Sequence, residues 1–111
     1  MTLISLEEAK LYLRVDSADE DALTSSLLSA AARLCIDVAR LNEDQWADID
    51  STGTESDHYS AADLQAVRET MRVAILYTLG YLYEHREEAD HHALTLTLRS
   101  LLFGLREGAY S

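Results

Sequence analysis

The run MRVAILYTLGYLYEHREE, from Met71 to Glu88, limits the possible folds of this chain more than any other stretch. Val73, Ala74, Ile75, Leu76, Tyr77, Leu79, Tyr81, Leu82 and Tyr83 leave no broad polar face, whereas a helix resting on a protein surface keeps one. Such a helix has to be wrapped by other protein, which makes it the central post of a small bundle. It does not read as a membrane span, because it is bounded by Arg72 and Glu84 and falls short of the roughly 20 apolar residues a span requires.

At 111 residues the chain suits a single domain, read as residues 1–111, with enough surface to bury for one core. It has no proline and only four glycines, a composition foreign to loop-rich or all-β proteins and suited to helices. The expected class is therefore all-α, about four helices around the central one. Twenty acidic residues against nine basic ones give a formal charge of −11, which repels a phosphate backbone and argues against direct nucleic-acid binding. The same charge keeps a protein soluble and lets DNA pass a surface without adhering. The lone Cys35 excludes an internal disulfide and sits in an apolar helical pattern, so it reads as a buried thiol. The opening MTLISLEEAK carries acid where a secretion signal needs a basic start and an apolar core, so a cytosolic origin is expected.

Ser5 and Glu8 have capping-box spacing, so a first helix starts there and ends near Arg14, with Leu6, Ala9 and Leu13 inward. Ser17 and Glu20 repeat the spacing before a second helix that runs to about Arg40. Its stripe is Leu23, Leu27, Ala30, Leu34, Val38 and Leu41, widened by Leu28, Cys35 and Ala39. From Asn42 to Ser60 the periodicity fails, and the segment reads as a long connection whose large apolar side chains are Trp46, Ile49 and Tyr59. These either pin the loop to the bundle or, in the case of Trp46, anchor a partner. Ser60 caps the central helix, with Asp63 in its first turn and Leu64, Val67, Met71, Ala74, Thr78 and Leu82 as its principal stripe. Leu98, Leu101, Leu102 and Leu105 give a last, shorter helix ending near Gly108, although the alternation in LTLTL would also fit a short strand.

The residues offer little to catalysis. The acidic and histidine-rich cluster from Glu84 to His92 has one Glu-x-x-His pair, Glu88 and His91, where helical di-metal sites use two such pairs and further carboxylates. It reads as a solvated helix end, so neither a metal nor a cofactor is expected. The glycines are too scattered for a nucleotide loop, and no Gly-x-Ser-x-Gly turn occurs. Tyr77, Tyr81 and Tyr83 read as packing side chains with hydroxyls reaching the edge. Arg86, beside Glu87, can form forked ion pairs within the chain or across to a neighbour.

Three stretches in order resemble the tailed-bacteriophage head-tail connector family, also called adaptor or DNA-packaging proteins. They are ISLEEAKLYLRVDSADEDALTSSLLSAA, then SAADLQAVRETMRVAILYTLGYLYEHREE, and finally Leu98-Arg99-Ser100-Leu101-Leu102 with Arg106. The chain departs from the family in having Ser60-Ala61 and Thr95-Leu96 where members often place a proline before a helix. The resemblance implies a non-enzymatic structural virion protein that joins the portal after DNA packaging. It implies a ring of about a dozen copies, closed by head-to-tail contacts, that presents a platform to a tail-completion protein. The implied location is the head-tail junction of the virion, with the host cytoplasm during assembly, and no membrane. Tyr83, Arg86, Leu102, Arg106 and Trp46 are the candidate subunit or portal contacts. The alternative is an acidic helical adaptor of a prophage or bacterial host that binds another protein and has no virion role.

Overall fold

The computed structural model describes residues 1–87 and 91–106, the Arg106 side chain excepted. Six α-helices follow in order: α1 Leu6–Leu13, α2 Asp21–Ala39, α3 Glu43–Ile49, α4 Ala61–Glu84, α5 His92–Leu101 and α6 Phe103–Arg106. A 3-10 turn, Ala18–Glu20, leads into α2. No strand occurs among the described residues, so LTLTL is helical, and α5 begins at His92, ahead of the Thr95-Leu96 pair.

The longest helix, α4, is the post on which the rest is hung. Its 24 residues run about 36 Å at the usual rise. Ser60 caps it by accepting the Asp63 N–H at 3.1 Å. Leu64, Val67, Met71, Ala74, Ile75, Thr78 and Leu79 are buried along it. Each large apolar side chain among them stabilises the fold by roughly 1.5–3 kcal/mol through burial. Enclosure is not complete, however. Val73 is 58% exposed and Tyr77 45%, so α4 keeps an uncovered apolar face where the sequence suggests wrapping on nearly all sides.

Helix α2 packs along α4, and α1 and α5 each lie against both. Because α2 has neighbours on several sides, its buried line is Thr24, Leu28, Ala31, Ala32, Cys35, Ile36 and Ala39. The expected stripe is displaced by about one residue. Leu27, Leu34 and Val38 are only half-buried at its edge, and Ala30 is exposed. The segment Ala18–Ala39 is long and apolar enough by composition to cross a membrane. Part of that apolar character, its buried line, packs against four neighbouring helices. Leu94, Leu98 and Leu102 close the core from the α5 side, and Ile4 and Ile49 close it from the N-terminal side.

The stretch 42–60 is not irregular throughout, because α3 occupies its first part. Asn42 accepts from the Gln45 N–H at 2.8 Å and the Gln45 side chain accepts from the Asn42 N–H at 2.9 Å, a complete capping box. Trp46 and Ile49 pack inward from this helix. The box at Ser5 is only half made. Ser5 Oγ accepts the Glu8 N–H at 3.1 Å, but the Glu8 carboxylate turns to the Arg72 guanidinium in a forked pair.

Both α1 and α2 end on an arginine in left-handed backbone, Arg14 at φ 59° and Arg40 at φ 57°. The Val15 N–H reaches Lys10 O at 2.9 Å and the Leu41 N–H reaches Ile36 O at 3.1 Å, the six-residue closure of a Schellman turn. Glycine is the usual residue at such a corner. The arginines instead place positive charge at the negative end of each helix dipole.

Candidate interaction site

At the C-terminal end of α4 the chain opens an aromatic groove of about 620 Å³ against the end of α1. Tyr12, Arg14, Tyr77, Gly80, Tyr81, Tyr83, Glu84 and His85 line it. Gly80 lets the two helices approach there, since a β-carbon at this position would stand 3.2 Å from the Tyr12 ring. Tyr83 donates to Glu20 Oε1 at 3.1 Å and so ties the end of α4 to the turn before α2. Arg86 lies over the Tyr83 ring, 5.0 Å from its centroid, and donates to the Tyr83 carbonyl at 3.3 Å. His85 stacks on Tyr81 with centroids 4.1 Å apart, and His91 meets the same ring edge-on at 5.8 Å.

The structure therefore brings Tyr83 and Arg86 together and leaves the other candidates elsewhere. Trp46 is half-buried in a separate groove with Arg33, Ile36, Leu41, Asn42 and Glu43. Leu102 is fully buried and so offers no contact surface, while its neighbours Leu101 and Phe103 are exposed. The Arg106 side chain lies outside the described residues, as do Glu88 of the Glu-x-x-His pair and the expected helix end at Gly108. The described histidines of the Glu84 to His92 cluster engage Tyr81 rather than one another where their contacts are resolved.

Polar residues that sequence reasoning passed over stitch the N-terminal end. Arg68 donates to the carbonyls of Ile49, Asp48 and Gly53 and to Ser51 Oγ, at 2.7–3.1 Å. Arg72 donates to Leu3 O at 2.8 Å as well as to Glu8, and that pairing holds the Glu8 carboxyl below its ordinary range. Asp50 accepts the N–H groups of Thr2 and Leu3 at 2.9 and 2.7 Å. The available signal was the pair of arginines one turn apart, flanked by the buried Val67 and Met71.

Serine, histidine and aspartate also meet here, but not as a nucleophile and its base. Ser56 Oγ donates to Asp48 Oδ2 at 2.5 Å, and His58 Nδ1 bonds the same oxygen at 2.9 Å. Both groups turn to one carboxylate, so no imidazole nitrogen is placed to take the serine proton. The effect is structural. Ser56 Oγ accepts from the N–H groups of His58 and Tyr59 and folds the loop back towards α3.

The described surface thus holds aromatic and apolar side chains, forked arginines spent on internal carbonyls, and an acidic balance. Such a surface suits protein contact better than chemistry on a small molecule. No curated protein and no solved structure matches the chain. A family model does match, over residues 3–107, nearly the whole length. The chain belongs to the phage gp6-like head-tail connector protein family, and its role is that of a structural connector in a phage virion, in contact with other virion proteins.

Proposed function

We propose that this chain is a non-catalytic connector that docks on the portal vertex once the genome is inside, assembles there as a ring, and offers the tail its attachment surface. The family match over residues 3–107 carries this reading. Two physical features support it. A charge of −11 on 111 residues keeps a ring lumen from gripping the DNA that must pass it. Half or more of Val73, Leu11 and Phe103 stands in solvent, which a small monomer has little reason to permit and a subunit of an assembly does.

Mixing the protein with its cognate portal and imaging the product by electron microscopy tests the reading. The expected outcome is a ring of added density at the tail-facing end of the portal. A further expectation is that phage lacking the gene accumulate filled heads without tails. Unaltered portal particles together with normal tailed progeny would refute the assignment.

A further inference from the structure

Two apolar faces of the chain are uncovered, and they belong to separate flanks. The first lies on α1 and α4, where Leu11, Tyr12, Val73 and Tyr77 are 45–79% exposed and Tyr12 rests over Gly80. The second lies on α5 and α6, where Leu96, Leu101 and Phe103 are 40–60% exposed. Helices α1 and α5 both pack on the α2–α4 pair yet share no substantial contact with each other.

The rims of the two faces differ in sign. Glu7 stands one turn from Leu11, Glu69 one turn from Val73, and Glu84 lines the groove beside Tyr77, with Arg14 at its end. On the other flank Arg99 stands one turn from Leu96 on α5, and Arg40 shares a shallow groove with it beside Asp37, Val38 and Thr95. Neither Arg40 nor Arg99 makes an ion pair among the described residues. Five of the nine basic side chains, Lys10, Arg33, Arg68, Arg72 and Arg86, are already engaged within the chain. Of the three described arginines left without such a partner, Arg40 and Arg99 lie beside the second apolar face and Arg14 at the end of the first.

We infer that the acid-rimmed α1–α4 face of one copy seats on the base-rimmed α5–α6 face of the next. The inference deepens the ring reading above and rests on it. A second copy is the occupant that supplies both halves at once. In a chain this acidic, pairing two α1–α4 faces would set carboxylates against carboxylates, which complementary interfaces avoid. Joining unlike faces is a heterologous contact, and such contacts propagate until they close a ring. The aromatic groove then holds an apolar side chain of the neighbour, and Arg99 meets Glu69 or Glu84.

Disulfide trapping with Tyr77→Cys and Phe103→Cys chains tests the pairing. Both positions are exposed, and Cys35 is fully buried, so neither folding nor background labelling interferes. Under mild oxidation, in purified protein at its highest soluble concentration and in assembled particles, the two single variants mixed should give a disulfide dimer. Each alone should stay uncross-linked, and the double variant should give a ladder of multimers. Dimers of either single variant with itself, or no cross-link in protein and particles alike, would overturn the face assignment. A chain found at the head-tail junction that cross-links only through like faces loses this inference and keeps the connector role. A chain absent from virions loses the role whatever the cross-links show.

Discussion

Arg68 shows how one side chain can hold a loop that has no regular structure of its own. Its guanidinium meets three carbonyls and a hydroxyl at the end of α3 and just beyond it. Arg68→Ala should cost about 1.5–3 kcal/mol, the range for hydrogen bonds to a charged group, and Lys should restore only part of it because an ammonium lacks the fork. Denaturant unfolding measures the cost, and faster amide exchange over 50–59 locates it. The Asp48–His58 pair in the same loop gives a pH dependence whose sign is set by its two shifts. The Asp48 carboxylate raises the His58 pKa above 6.5, so that contribution is full below 6.5 and fades as pH climbs through the raised value. Hydrogen bonds from His58 and Ser56 depress Asp48 below 3.8, so its contribution fades only in strong acid. The stability difference between the natural chain and His58→Gln should therefore shrink from mildly acidic to alkaline solution, and a His58 ring titration at or below 6.5 would contradict this. Cys35, packed against the Thr78 hydroxyl at 3.5 Å, has its pKa pushed up to about 11 by burial. It should resist thiol reagents in the native protein and react once the chain unfolds.

The helices were legible in the sequence wherever a cap and an apolar period coincided. Ser5 and Ser60 cap as their spacing implies, and Leu64, Val67, Met71, Ala74 and Thr78 are buried in α4. Helix α3 carried the same signal in Asn42 and Gln45, but seven residues hold too few turns to show a period, and the polar stretch after it masked the cap. The displacement of the α2 stripe has another cause. Period identifies an apolar face, but the number of neighbours decides how wide that face is and where its middle lies, and α2 has neighbours on several sides. Close approach of α1 to α4 hinges on Gly80. Replacing it with Ala adds helix propensity of about 1 kcal/mol and sets a methyl 3.2 Å from the Tyr12 ring. We expect Gly80→Ala alone to be near neutral or destabilising and the same change with Tyr12→Ala to be stabilising, a coupling that a double-mutant cycle read by thermal melting would expose.

At the scale of the whole molecule, every described helix except the short α6 contributes fully buried residues to one contiguous core, and α6 packs Leu105 against it. Met71→Ala should therefore lower stability by about 2–5 kcal/mol in one cooperative transition; separate melting of the α5 end would contradict the shared core. The contact surfaces were less legible than the fold. Tyr83 and Arg86 do meet, but Leu102 turned inward, since a period of leucines cannot tell which one faces the core when a helix breaks there and restarts. The exposure of Val73 and Tyr77 was hidden in the very run that looked wholly apolar. One last property follows from the left-handed arginines at 14 and 40. Each holds a torsion that side-chain-bearing residues adopt at a penalty of roughly 1–2 kcal/mol, so the sharp bends after α1 and α2 are tolerated rather than optimised. Protein engineers seeking a hardier scaffold could begin by introducing glycine at position 14, a corner that lies outside the core.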